Sequence, residues 1–267
     1  MLKLSIITVC FNAASTIKNC IESVSRQSLQ VEHIIVDGGS DDKTLEVLEQ
    51  YRPQVARLIS EPDSGIYDAM NKGLRLASGD VIGILNADDF YSDPETLQKV
   101  AEGFKDQKID ACYGDLIYVD ATDIRKIDRY WRSGSYDRCK FYNGWMPPHP
   151  TFFVRRSVYK KYGLFNLDLG SAADYELMLR FLLKHKVSCK YIPEILVCMR
   201  TGGKSNASLK HRLTAHRNDY LAWKVNQLKS HPWTLMMKPL RKIEQYIRRP
   251  SQGVYDPESV ISETLRG

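Results

Sequence analysis

The sequence predicts an α/β protein built on a parallel, doubly wound sheet. Three observations predict it. Over the first hundred residues, apolar β-rich runs alternate with segments of helical spacing. Each run is four to six residues long and ends in a polar cluster. No apolar stretch approaches the ~20 residues that span a bilayer.

Leu4 to Val9 is a buried-strand run. Ser15 is placed to cap a helix whose apolar positions are Ile17, Cys20, Ile21 and Val24. His33–Val36 is a second strand, and Thr44 to Tyr51 a short helix. Ala56–Ser60 is a third strand. Tyr67 to Ala77 is a helix with Ala69, Met70, Gly73, Leu74 and Ala77 as its inner stripe. Val81–Leu85 is the fourth strand, and Pro94 opens the next helix at its first turn. After about residue 108 the pattern loosens. Short strands are expected at Ala111–Tyr113, Ile117–Val119, Ile127–Trp131 and Ile195–Met199. Gly144–Pro150 is a loop; Asp174 to His185 and Leu209 to Leu228 are helices.

At 267 residues, with 43% hydrophobic and 26% charged content, the chain is an ordinary globular protein. Cys10, Cys20, Cys112, Cys139, Cys189 and Cys198 form no C-x-x-C pair and read as reduced thiols. The N-terminus runs straight into a strand pattern without a signal peptide's apolar core, so a cytosolic location is expected. The net charge of +6 is uneven. From Lys204 to Arg249 eleven Lys or Arg face two acids, a local +9 that leaves −3 for the remainder. Charge confined to a tail disfavours a nucleic-acid binder and points to another anionic surface.

In doubly wound sheets, ligands bind beyond the carboxyl ends of the strands. The polar clusters fall there: Asn12, then Asp37 to Asp42, Glu61 to Gly65, and Asn86 to Asp89. Neighbouring carboxylates Asp88 and Asp89 suit a hard cation, Mg²⁺ or Mn²⁺, shared with phosphate; locally they fit a turn cap as well. Asp37 is placed to accept from a ribose hydroxyl or a base N–H, or to cap the helix at Thr44. A nicotinamide dinucleotide needs glycines after strand one, and Val9–Ala14 has none; a Walker A loop is also absent. Asp174 at a helix start stays ionised beside the dipole, which suits a general base and equally an N-cap. His149 and Trp145, among prolines, are candidates to line a pocket, although a lone His also serves structurally. Arg200 and Lys204 flank two glycines and either close over a diphosphate or belong to a solvated loop.

Several segments together resemble the inverting glycosyltransferases of family two. They are Ser5–Asn12, Ile35–Asp42, Glu61–Gly73, Gly79–Asp89, His149–Phe153 and Ala173–Glu176, spanning roughly residues 3 to 205. The resemblance implies the GT-A fold: a mostly parallel central sheet flanked by helices, here with a C-terminal helical extension. It implies a catalytic unit over 1–205, divided into a nucleotide half (1–108) and an acceptor half (109–205), with a basic extension over 206–267. It also implies roles. Thr8, Asn12 and Asp37 hold the nucleotide, most often uridine. Asp63 and Lys72 sit near the nucleotide or diphosphate. Asp88 binds Mn²⁺ or Mg²⁺, and Asp174 is the base. Asn86 stands where the family commonly has the first acid of Asp-x-Asp, so it brings a hydrogen bond without charge. Asp89, His149 and Trp145 are weaker candidates for the acceptor pocket. The Gln-x-x-Arg-Trp motif of processive synthases is absent, and Arg200–Gly203 occupies the comparable place.

The expected activity is metal-dependent, inverting transfer from a nucleotide-diphospho-sugar, UDP-linked by preference, to a glycan or lipid-linked acceptor in polysaccharide biosynthesis. The competing reading is a catalytically silent nucleotide-sugar or glycan binder. In the tail, Trp233, Leu235, Met236, Met237, Leu240, Ile243, Tyr246 and Ile247 mix with basic residues. That resembles an interfacial segment on the inner face of the cell membrane. Packing on the catalytic domain or on a partner subunit of a homo-oligomer stays open.

Overall fold

A computed structural model describes residues 2–202, 209–247, 250 and 255. Among these, nine strands form one sheet. β1 (Leu4–Cys10) lies between β2 (Glu32–Asp37) and β4 (Val81–Asn86), with β3 (Arg57–Ser60) outside β2, and all four run parallel. β5 is Asp89–Tyr91, β6 Ala111–Val119, β7 Ile127–Trp131, β8 Phe153–Arg155 and β9 Cys189–Arg200. The order continues from β4 through β8, β6, β9 and β5, with β7 on β6. The expected parallel sheet therefore holds for the first four strands. Beyond them the sheet is mixed: only β6 and β9 pair in parallel, while β8, β7 and β5 each pair antiparallel.

Helices cover both faces. The even-numbered apolar residues of β1, Leu4 and Ile6, pack with Cys20 and Val24 of α1 (Ile17–Ser25), and with Leu97 and Val100 of α4 (Thr96–Gly103). α2 (Thr44–Gln50) adds Leu48 against Ile17, Ile21 and Ile35. The odd residues Ile7 and Val9 face Ala69, Met70 and Leu74 of α3 (Ile66–Leu76). Gly73 is required there, because a Cβ would stand 2.3 Å from a methyl of Ile7. α5 (Arg156–Tyr162) and α6 (Ala173–Met178) join this second layer, and α6 widens into a π-helical turn over Leu179–Lys184. α7 (Leu209–Val225) and α8 (Thr234–Ile247) complete the described elements.

Four local expectations change. Thr16, not Ser15, precedes α1 and makes no side-chain cap. α4 begins at Thr96, two residues after Pro94. Ala111–Tyr113 and Ile117–Val119 are one strand. Asp89 leaves the turn after β4 to open β5, where it pairs with Met199.

The amino ends of the strands are tied by one carboxylate. Glu32 is 9% exposed and accepts from Ser5 Oγ (2.5 Å), Ser78 N (2.8 Å) and Ser78 Oγ (2.7 Å). Burial works to raise its pKa, but the Ser5 and Ser78 hydrogen bonds outweigh this and hold it at about 2, against an ordinary 4.5. A depressed folded pKa stabilises above the unfolded pKa and stops doing so as pH falls through the folded one. Glu32→Gln is therefore expected to cost about 1–3 kcal/mol in urea unfolding at pH 7. The gap to wild type should close between pH 4.5 and about 2.

Candidate active site

The loops after β1 and β2 interlock at the carboxyl ends of the strands. Asn12, in the left-handed region at φ 52°, accepts from Asp41 N through Oδ1 (3.0 Å), and its own N–H donates to Ser40 Oγ (2.8 Å). Asp37 is fully buried. It accepts from Gly39 N (3.1 Å), Ser40 N (3.0 Å), Ser40 Oγ (2.5 Å) and Ser60 Oγ (2.7 Å). Burial raises its pKa, but these bonds outweigh burial and leave the net shift downward. Asp37 thus shapes the Gly38–Gly39 turn and ties it to the end of β3.

The third loop lies against that turn. A Cβ at Gly38 would sit 2.4 Å from Asp63 Oδ2, so glycine is what lets the Asp63 carboxylate close over the β2 loop. Asp63 Oδ1 also accepts from Gly65 N (2.8 Å). Lys72 reaches back from α3 to Pro62 O (2.8 Å) and Glu61 Oε1 (2.9 Å), so it braces this loop.

Thr8 departs from its expected role. It is 0% exposed, and its hydroxyl meets His33 Nε2 (2.9 Å) on the α1 face of the sheet. No part of that side chain reaches the crevice.

The acids after β4 form the charged centre. Asp89 is 1% exposed, which corrects its expected place in an acceptor pocket: its side chain lies beneath the crevice. Asn86 Nδ2 donates to Asp89 Oδ2 (3.1 Å). Asn86 Oδ1 and Asp89 Oδ1 are buried with no hydrogen-bond partner. Asp88 is half-buried. Burial pushes both carboxyls up, Asp89 well above its usual range with the Asp88 charge adding to it. Arg200 closes the cluster from the end of β9. Its charge acts on both acids, its guanidinium stands 5.2 Å from the Phe90 ring centroid, and Nη1 donates to Ala121 O (3.3 Å). Lys204, expected beside it, lies outside the described residues.

Orphaned buried oxygens among under-compensated carboxylates fit a hard divalent cation. Among the described residues no three His, Cys, Asp or Glu side chains form a ready cage. The fit is therefore to a cation that takes one or two protein oxygens and completes its shell with phosphate and water, as Mg²⁺-type sites do.

The second chemical group is built on α3. Its first turn starts at the carboxyl end of β3, so Tyr67 stands on the crevice side of the sheet. Tyr67 lies beside Asp174. Burial, then the Asp174 charge and a hydrogen bond to it, push the phenol well above its ordinary range. The phenol remains a donor to the carboxylate. Asp174 Oδ1 also accepts from Tyr175 N (2.7 Å) at the start of α6. His149 is on the same group: burial lowers its pKa and the Asp174 charge opposes this. Its ring meets Phe165 edge-on at 5.5 Å, and Phe165 lies 5.3 Å from Tyr67. Asn71 fixes Phe165 by exchanging two 3.0 Å bonds with its backbone. Tyr67, Asn71 and Phe165 were not singled out from sequence. Tyr67 and Asn71 stand four residues apart within the Glu61–Gly73 segment, and that spacing was the available signal.

Trp145 is the further correction. It is 5% exposed, donates from Nε1 to Ser133 O (2.9 Å) and packs edge-on against Phe141 and Tyr113, so it belongs to the core. A surface cleft of about 600 Å³ lined by Asp80, Phe104, Asp110 and Arg155 opens where β4 and β6 begin, at the opposite end of the sheet from the acids.

The fold and the acids at its carboxyl edge define a glycosyltransferase of GT-A type. Residues 5–163 match the profile of glycosyl transferase family 2, and the chain belongs to that family. It is 34% identical over 182 residues to an uncharacterized glycosyltransferase of Mycobacterium tuberculosis, covering 67% of this chain and 68% of that one. It is 31% identical over 208 residues to a PGL/p-HBAD biosynthesis glycosyltransferase of Mycobacterium bovis, covering 76% and 78%. Among solved structures, S. aureus TarS residues 1–349 with UDP-GlcNAc superposes with a TM-score of 0.66 at 18% identity, over 84% of this chain and 65% of that one. The mannosyltransferase PcManGT of Pyrobaculum calidifontis, solved with GDP-Man and Mn²⁺, gives 0.62 at 17% identity, over 90% and 73%. At these identities the two structures speak to the fold alone. No described helix is long and apolar enough to cross a membrane.

Proposed function

We propose that this glycosyltransferase moves one sugar, with inversion, from a nucleotide-diphospho-sugar to a hydroxyl of a glycan or lipid-linked acceptor in polysaccharide or glycolipid assembly. What supports the proposal is two differently built acid sites: one directly after β4, the other beside the first turn of α3, which follows β3. Asp88 and Asp89 are adjacent acids whose ionised forms burial leaves under-compensated, with Arg200 beside them. Asp174 is a single carboxylate held by a backbone N–H and a phenol. The first suits a diphosphate leaving group and the second a proton acceptor. A divalent cation bound at Asp88 would neutralise the charge that develops on the departing diphosphate.

In this reading Asn12 and Asp63 border the nucleotide, while Asp37 and Lys72 hold the loops that carry them. Asn86 and Arg200 face the diphosphate. Asp174 takes the acceptor proton as the oxygen attacks the anomeric carbon, and His149 and Phe165 wall that side. One displacement inverts the carbon. A UDP-linked donor is the first choice because the family that the Ser5–Asn12 and Ile35–Asp42 segments resemble most often holds uridine there.

A thermal-shift panel of nucleotide sugars with and without Mn²⁺ tests the donor side. One UDP-sugar should raise the melting temperature by several degrees more with Mn²⁺ than without it. Binding without any release of nucleotide diphosphate, with every acceptor class tried, would favour the silent sugar-binding alternative.

A further inference from the structure

α8 is amphipathic, and it is mounted with its polar side inward. Thr234, Lys238, Arg241 and Gln245 recur at helical spacing and face the protein. Thr234 is buried and donates to Tyr142 O (2.7 Å). Lys238 Nζ reaches both oxygens of Asp219 at 2.8 Å and lies 3.8 Å from the Tyr175 ring centroid. Arg241 Nε donates to Asn143 O (2.8 Å), and Gln245 is 9% exposed. Gly144 seats the helix, because a Cβ there would stand 2.4 Å from Lys238 N. On the opposite side Met236, Leu240, Ile243 and Ile247 form one stripe at 69%, 54%, 57% and 77% exposure. Trp233, 50% exposed, extends it at the amino end. A surface helix ordinarily buries its apolar side and leaves charge in water. Here Leu235 packs toward the core, but the longer apolar stripe points outward, so it is offered to something outside the described protein.

We propose that this stripe docks α8 flat on an anionic lipid surface. Charge complementarity selects that occupant. In sequence, the segment from Lys229 to Arg249 carries Lys229, Lys238, Arg241, Lys242, Arg248 and Arg249 against the single acid Glu244, so the apolar strip belongs to a strongly basic stretch. Apolar residues entering the acyl boundary beneath basic residues at headgroup level are what such surfaces bind. A second copy of the chain would set this basic stretch against itself. The inner side of α8 also rests on Tyr175, the residue after Asp174. A membrane on the outer side of α8 therefore lies one helix diameter, about 10 Å, from the helix that carries the expected base. Resting on the transferase reading above, this selects a lipid-linked acceptor over a free glycan.

The test is sedimentation of the full chain with vesicles of phosphatidylcholine, alone or mixed with about one quarter phosphatidylglycerol. Wild type should sediment with the mixed vesicles and be released by high salt. Leu240→Glu with Ile243→Glu should lower partitioning about a hundredfold, on the order of tenfold for each lost anchor. Both positions are exposed, and an unchanged melting temperature checks that the fold survives. Two results overturn the proposal. One is wild type staying in solution with anionic vesicles. The other is a dimer, seen by light scattering, that the double substitution dissociates. Partitioning needs no sugar donor, so it judges the surface whatever becomes of the transferase reading.

Discussion

Asp174→Asn is expected to abolish sugar transfer while nucleotide binding survives. The amide keeps the shape of the carboxylate and one acceptor oxygen, so the bond from Tyr175 N can persist. What it loses is the capacity to take a proton. A positioned general base contributes about 10²–10⁴ to rate, and the loss should fall within that range. The surroundings make the effect specific. Burial alone keeps Tyr67 protonated once the Asp174 charge is gone, so it cannot take over as base. Burial keeps His149 from readily becoming a cation, yet the Asp174 charge that partly offsets this disappears in the variant. Transfer is measured with a labelled donor, and nucleotide diphosphate affinity by calorimetry. A Kd within about twofold of wild type beside a rate loss of at least 10² isolates the chemical step. Equal transfer rates would remove Asp174 as the base.

The first four strands were legible because their apolar runs are unbroken and their helices carry clear stripes. The second half was less so, for a physical reason visible at β6. Gly114 and Asp115 interrupt its apolar run, which is why two short strands were expected. Gly114 is there because a Cβ would stand 2.4 Å from the Leu196 side chain. Asp115 is tolerated at 2% exposure because Tyr130, Tyr191 and Ser133 N all donate to it. Pairwise contacts of that kind leave no periodic trace. β9 was shortened by the same logic, since Pro193 and Glu194 hide the run that begins at Cys189.

The site was legible as a set of loops and less so as side chains. Strand alternation places Thr8 with Leu4 and Ile6 on the α1 face; the resemblance led instead to the nucleotide. Asp37 stands at the expected strand end, but the serines that engage it come from two places, Ser40 on the loop after β2 and Ser60 at the end of β3. Trp145 was read as pocket-lining from its prolines, whereas its ring supplies core volume. The reversed mounting of α8 lay beyond the sequence, because the sequence gives the two faces of a helix and not which one the protein keeps.

Asp88→Asn is expected to uncouple donor from cation. Among the described residues there is no third metal-type ligand beside the two acids, so a cation bound there depends on oxygens the donor brings. Cation and donor should then strengthen each other's binding by the same factor, as linkage requires. Asp88 is the half-buried acid of the pair, while Asp89 is 1% exposed and already receives Asn86 Nδ2. Removing the Asp88 charge leaves Asp89 deep and Asn86 neutral, with Arg200 the main charge facing the diphosphate. The nucleotide should still bind through the loops and Arg200, but the extra melting-temperature rise that Mn²⁺ gives the wild-type complex should vanish. Transfer should fall at least about 10²-fold, since neutralising a leaving diphosphate is worth several kcal/mol. With chelator present, wild type and variant should bind nucleotide alike, which separates a lost ligand from a damaged loop. If the Mn²⁺-dependent rise persists in Asp88→Asn, the cation is held by Asn86 Oδ1 and Asp89 Oδ1, which are buried without a hydrogen-bond partner.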